Sequence, residues 1–413
     1  MPPVVHRLRS VTLALLALSA CRGPAPALRT ITYAAKLLVP GDEIRLLPGT
    51  YNAASGEVFP ITAGPISIVG FNPDGDTDPA AHVISGGRAA ASLLAFRNFT
   101  AGNSARLADV TLRDTTDTPI LVQAANLTME RCTVTAVTVN NNTYSGKASA
   151  VQVYTAGTLT AADCTFAALA GRGVLEAGTG GNVVDESGIG FSTITATGCT
   201  FAGNNSGNGV LNSSFAKARF IVTDCTFDGN SGPDTNSDTT PAAVAHIRSG
   251  SSSASSLTMD RCRFTNNTGR ALISSVYNTK ISNSLFIGNT PVDSLTWGRN
   301  DGWAQAVVFV NCTFSGNAAI AGGDAAKATI SNSIISANAS LNASAGSSTF
   351  LVLANTILWN TPRGQGYNGA ASVNVIEQDP MLDAEYKPQA GSPAIDAGDN
   401  ELVSHDFDLA GNV

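Results

Sequence analysis

Six cysteines of this chain stand in one recurring frame, and that frame constrains the fold more than any other feature. Cys132 opens C-T-V, Cys262 opens C-R-F, and Cys164, Cys199, Cys225 and Cys312 each open C-T-F. Ser284 (S-L-F), Ser333 (S-I-I) and Thr356 (T-I-L) carry the frame onward. Successive positions lie 21 to 37 residues apart, inside the ~20–50 residues typical of repeat architectures. Five units extend as F-x-x-N, at Phe201/Asn204, Phe227/Asn230, Phe264/Asn267, Phe286/Asn289 and Phe314/Asn317. A chain repeating at this interval stacks one unit on the next and buries a thin continuous core.

The residues around each frame position set the local geometry. Three before it stand Met129, Ala161, Ala196, Val222, Met259, Ile281, Phe309, Ile330 and Leu353. In the Cys-bearing units, Leu127, Leu159, Ile194, Phe220, Leu257 and Val307 stand five before. Those two positions share one face of a strand, and the Cys shares a face with the residue two after it. Between the two sets the parity slips by one, so a corner must intervene. The residue just before the frame position is Asp163, Gly198, Asp224, Asn283, Asn311, Asn332 or Asn355 in seven of nine units. Gly, Asn and Asp accept the left-handed backbone that a sharp corner requires. Arg131 and Arg261 depart from this pattern.

A third strand follows, as in Gly171-Arg-Gly-Val-Leu, Gly207-Asn-Gly-Val-Leu and Gly269-Arg-Ala-Leu-Ile. Three short strands and three turns per coil define an all-β fold, a right-handed parallel β-helix. A sandwich would need hairpins and a propeller four-strand blades, and neither period occurs. Composition agrees. Charged residues are 13% against the usual ~25%, and a hydrophobic fraction of 43% is too high for a disordered chain.

The chain opens with Arg7 and Arg9, no acid before residue 11, and the apolar stretch Val11–Ala20. This is the pattern of a signal peptide, too short to span a bilayer. Leu18-Ser19-Ala20-Cys21 resembles the bacterial lipobox, which implies cleavage before Cys21, lipidation of its thiol and a membrane tether. Arg22, in place of Asp, implies outer-membrane or cell-surface sorting in that class. Without Arg7 and Arg9 the balance is 22 basic to 31 acidic residues, which excludes bulk electrostatic binding of nucleic acid.

Both ends of the remaining chain resemble known caps. T-I-T-Y-A-A-K-L-L-V-P-G-D-E-I-R-L-L-P-G-T-Y (Thr30–Tyr51), with G-E-V-F-P-I and I-S-I-V-G after it, closely resembles the N-terminal module of bacterial β-helix proteins in the pectin-lyase-like group. That family is named only as a domain of unknown function. Physically, Thr30–Val39 reads as a short amphipathic helix ended by Pro40-Gly41, followed by a strand over Glu43–Leu47. The helix would cover an open sheet edge. D-P-M-L (Asp379–Leu382), Tyr386 and S-P-A-I-D-A-G (Ser392–Gly398) resemble the closing segment of surface-anchored β-helix proteins, and the phenylalanine- and asparagine-rich coils resemble polymorphic outer-membrane surface proteins. The expected organisation is a signal peptide (1–20), a lipidated linker (21–29), a cap with the first coils (30–87), β-helix coils (88–378) and a closing segment (379–413).

Chemistry-bearing motifs are few. Pectin-degrading hydrolases of this fold use N-T-D, D-D and G-H-G elements, and these are missing. Related lyases use Arg or Lys beside calcium, which neutralises a uronate carboxylate. With Leu175, Leu211 and Ile273 inward on the third strand, Glu176, Asn212 and Ser274 point outward. Ala243–Arg248 puts His246 and Arg248 on that outer face, between two long insertions at Gly178–Gly190 and Ser231–Pro241. Glu176, Asn212, His246 and Arg248 are therefore the candidate ligand-binding residues. Asp74-Gly-Asp76-Thr-Asp78 has spaced carboxylates, but Pro79 and Ser85 occupy positions where an EF-hand needs Gly and Glu. No metal or other cofactor is expected, calcium being the only one the residues suggest.

Six cysteines in an exported chain ordinarily mean three disulfides. Here all six share one phase and should form an inward column. Five stacked residues cannot all pair, Ser284 and Ser333 isolate Cys312, and Ser or Thr in the same slot asks only for a small side chain. Free thiols are expected. The function expected is an exported, lipid-anchored monomer that binds polysaccharide or cell-surface glycan without turnover. The alternative is a polysaccharide lyase or glycoside hydrolase with a divergent site.

Overall fold

A computed structural model describes residues 10–13, 28–75, 78–137, 149–178, 190–214, 217–232, 242–248, 255–275, 278–298, 306–323, 327–341, 350–364, 367, 369 and 371–402. The chain is a parallel β-helix. Every strand pairs in parallel with its equivalent one coil away, as Leu127↔Leu159↔Ile194↔Phe220↔Leu257 illustrates. Strands before and after the frame position merge into one 25-stranded sheet, and the third strands form a separate ten-stranded sheet. The helix spans Ile31–Leu37, capped by Thr30, with Ile31 and Ala34 buried. Glu57 fixes its start, accepting the N–H groups of Ile31 (2.6 Å) and Thr32 (2.9 Å). The strand after it runs Glu43–Leu46. Ser10–Leu13, inside the expected signal segment, lies as a strand along Glu43–Leu46.

The corner before the frame position is left-handed in all nine units. Asp163, Gly198, Asp224, Asn283, Asn311, Asn332 and Asn355 have φ between 48° and 64°, and Arg131 and Arg261 join them at 49°. A second left-handed corner follows five residues later, at Ala136, Ala168, Gly203, Gly229, Asn266, Gly288, Gly316, Ala337 and Asn360. It falls inside the F-x-x-N motif and explains why Gly and Asn recur there.

Three columns run up the interior. Phe166, Phe201, Phe227, Phe264, Phe286 and Phe314 stack face to face, ring centroids 4.3–5.2 Å apart. The F-x-x-N asparagines form the second column. Asn267, fully buried, donates from Nδ2 to Phe227 O (2.9 Å) and Asn289 Oδ1 (2.9 Å), while its Oδ1 accepts the Asn230 N–H and Nδ2 groups at 3.0 Å. The pattern continues from Asn204 to Asn338, so each buried amide is satisfied by its neighbours, which a low-dielectric core demands.

The third column is the frame itself. Cys132, Cys164, Cys199, Cys225, Cys262 and Cys312 are buried free thiols, and burial pushes those of Cys262 and Cys312 up to about 12. Their slot asks for more than small size. Cys262 Sγ donates to Asp260 O, as Ser284 Oγ does to Ser282 O and Thr356 Oγ1 to Ala354 O. The slot also accepts: the Cys199 N–H donates to Cys225 Sγ, and the Cys262 and Cys312 N–H groups to Ser284 and Ser333 Oγ. Cys, Ser and Thr interchange because each both donates and accepts.

Candidate functional site

The third sheet carries the residues singled out from the sequence. Leu175, Leu211 and Ile273 lie inward in the core, fully buried. The next residue of each strand forms a row in strict register: Gln152↔Glu176↔Asn212↔His246↔Ser274. Glu176, Asn212 and His246 are thus brought together, one per coil. Arg248 pairs with Ser214 in the same strand as His246; its side chain lies outside the described residues. The two insertions expected to wall a groove lie almost wholly outside them as well. Asp78, from the acidic turn, accepts the Ala80 N–H and caps a short 3-10 turn.

From Glu176 to Ser274 the row is buried, although alternation turns it away from Leu175, Leu211 and Ile273. Glu176 and Asn212 are 0% exposed and His246 is 5% exposed. Part of the closure comes from Arg172, four residues before Glu176, whose Nε stands 3.3 Å from Glu176 Oε1 with only 12% of its side chain exposed. Ser149 Oγ donates to Glu176 Oε2 at 2.5 Å. Strand alternation assigns a side but not a depth.

Two glycines let these coils approach. A Cβ on Gly173 would stand 3.0 Å from Asn212 Cβ, and Ser149 lies directly across from Gly173 in the ladder. At Gly209, with φ of 105°, a Cβ would stand 3.0 Å from Ala242 O and 3.2 Å from the His246 backbone N. Only residues without a side chain leave room there.

The electrostatics follow from burial. Desolvation pushes the Glu176 carboxyl up, and the Arg172 guanidinium and the Ser149 hydroxyl pull it partly back. Both of its oxygens therefore face a partner. Among the described residues no three His, Cys, Asp or Glu side chains gather as metal ligands. Arg172 and Ser149 were missed in the sequence. Arg172 sits within the G-R-G that marks the third strand, four residues from Glu176, a spacing that carries weight only once both are known to be buried. Ser149 emerges only from the pairing across to Gly173.

Residues 23–197 match the model of a family described as "Protein of unknown function (DUF1565)". No curated protein matches the sequence. Among solved structures, the chain is similar to a mannuronic acid specific polysaccharide family 6 lyase from human gut microbiota. That match has TM-score 0.38 and 13% identity, covering 84% of this chain and 81% of that one. An alginate lyase from Paenibacillus sp. str. FPU-7 matches with TM-score 0.39 and 12% identity, over 82% and 96% of the two chains. Tailspike protein 3 of bacteriophage CBA120 matches with TM-score 0.46 and 12% identity, over 85% and 57%.

Proposed function

We propose that this protein is an exported, lipid-anchored β-helix that binds polysaccharide or cell-surface glycan along its third sheet without turning it over. The observation that supports this reading is the register of Gln152, Glu176, Asn212, His246 and Ser274. It aligns one polar side chain per coil at the ~4.8 Å strand spacing, with the buried Glu176 and Asn212 backing the row and the half-buried Gln152 and the edge of His246 left to meet a polymer lying along it. Glu176 favours binding over turnover, because it is fully buried, with Ser149 donating to one oxygen and the Arg172 guanidinium in ion-pair range of the other, which leaves it badly placed to take a substrate proton. One observation favours the alternative, a lyase or hydrolase: burial raises the Glu176 carboxyl, as a general acid requires.

A glycan array run beside an ultraviolet assay for unsaturated uronate product tests the two readings together. Retention of a glycan without product, weakened by Gln152→Ala and by His246→Ala in folded protein, is the expected result. Product formation overturns the binding-only reading, and unchanged retention in both variants overturns the site. The anchor has its own test. Mass spectrometry of the membrane fraction should find a lipid-modified N-terminus at Cys21, and an unmodified N-terminus elsewhere in soluble protein overturns the tether.

A further inference from the structure

The last coils carry a fourth column, of asparagines at the left-handed corner: Asn283, Asn311, Asn332 and Asn355. Amides stacked one per coil bond along such a column. Asn311 Nδ2 donates to Asn283 Oδ1 at 3.1 Å, and Asn374 Nδ2 donates to Asn355 Oδ1 at 2.8 Å. The column breaks at Asn332. Its Nδ2 donates instead to Asp399 O (2.7 Å), and its Oδ1 accepts the Asp399 N–H (2.9 Å), so the closing segment takes both bonds. Left over are the Asn311 Oδ1 acceptor and the Asn355 Nδ2 donor, neither with a protein partner among the described residues. Both residues line a cleft of about 180 Å³ between the column and the closing segment, with Ile334, Ile357 and Pro388 as its apolar lining.

We propose that this cleft binds an N-acetylated sugar, whose acetamido group takes the place in the amide column that Asn332 vacates. The match is one of hydrogen-bond direction. A secondary amide has one N–H, which donates to Asn311 Oδ1, and one C=O, which accepts from Asn355 Nδ2. Asn311 and Asn355 are two coils apart, roughly 9.6 Å by strand spacing, the span that one amide bridges in any stacked column. The acetyl methyl meets Ile334 and Ile357. Among the described residues no charged one lines the cleft, so a neutral sugar fits and a uronate does not, since a buried unpaired carboxylate is costly. The volume lies below the ~300–1,000 Å³ of drug-sized pockets and suits a single sugar unit. This site is separate from the third-sheet row and does not depend on it.

Saturation-transfer NMR on the full-length mature protein tests the proposal, with methyl N-acetyl-β-D-glucosaminide as the probe. The methyl β-D-glucoside serves as the probe lacking the amide, and the methyl glucuronide as the charged one. The acetamido probe should receive saturation most strongly at its acetyl methyl and bind about tenfold or more tightly than the glucoside, the worth of two neutral hydrogen bonds. Asn355→Asp, which keeps the shape and the left-handed corner but removes the donor, should abolish that preference. Gln152→Ala, on the third sheet, should leave it intact, which separates this site from the glycan row. Equal binding of the glucoside, an unchanged preference in a folded Asn355→Asp protein, or no saturation of the acetamido probe would each overturn the proposal.

Discussion

Arg261 forks onto Asp224 one coil away, its Nε and Nη2 donating to the two carboxylate oxygens at 2.7 and 2.8 Å, while its own backbone sits at φ 49°. Arg131 repeats the arrangement on Asp109 at the same two distances. A left-handed backbone costs a residue with a side chain roughly 1–2 kcal/mol. At these two corners, where neither Gly nor Asn is present, a two-pronged ion pair to the neighbouring corner offsets that cost.

Arg261→Ala should therefore lower stability by about 0.5–1 kcal/mol, because the strain stays and the pair is lost. Arg261→Gly should cost less, since it removes both. The pair is partly exposed, with 19% and 44% of the two side chains open to solvent, so a double-mutant cycle with Asp224→Ala should return a coupling of only about 0.5–1 kcal/mol. Urea unfolding measures all three. An Arg261→Gly variant less stable than Arg261→Ala would contradict the account.

The amide column predicts a sharper loss. Asn267→Ala leaves Phe227 O and the amide groups of Asn230 and Asn289 short of a partner inside the core. It should cost about 2–4 kcal/mol, more than an exposed substitution such as Thr160→Ala, read as a shift in urea midpoint.

The frame cysteines should titrate as six thiols in denatured, unreduced mature protein with the lipidated Cys21 excluded. Cys262→Ser should cost less than ~1.5 kcal/mol, because Ser284 and Ser333 already fill the same donor-and-acceptor slot. Cys262→Val, of similar bulk but without the S–H, should cost more. A thiol count of zero would overturn the column.

For Glu176 the sign of the pH dependence is fixed by its raised carboxyl. The folded state holds the proton more tightly than the unfolded state. This group therefore stabilises the protein least above its folded pKa, and the deficit shrinks as pH falls from there and is gone below the unfolded value. Glu176→Gln keeps the shape without the charge. Its Tm relative to the parent should become more favourable as pH rises from about 4 to about 8. A difference that moves the opposite way would mean that Arg172 outweighs burial.

Much of this molecule could be read from the chain before its coordinates. Residues five and three before each frame position, and two after it, turn inward as their parity required, and the corner between them is left-handed even where Arg131 and Arg261 broke the residue pattern. The asparagine of F-x-x-N was visible as a motif but not as a column, since Asn beside a turn looks like a turn former until its amide is seen to point inward. The third-sheet row of Glu176, Asn212 and His246 was legible in register, whereas its burial was not. Register follows from a two-residue period, whereas depth depends on residues outside the repeat, such as Arg172.

The two left-handed corners stand a constant five residues apart in all nine framed coils, while the remainder of each coil varies in length. Adding or deleting one residue between those corners would throw the thiol, ring and amide columns out of phase at once. The same change in the third turn would reach none of them. One side of the wall is thus copied from coil to coil and the other is open to revision, so new segments can be grafted there without renegotiating the core.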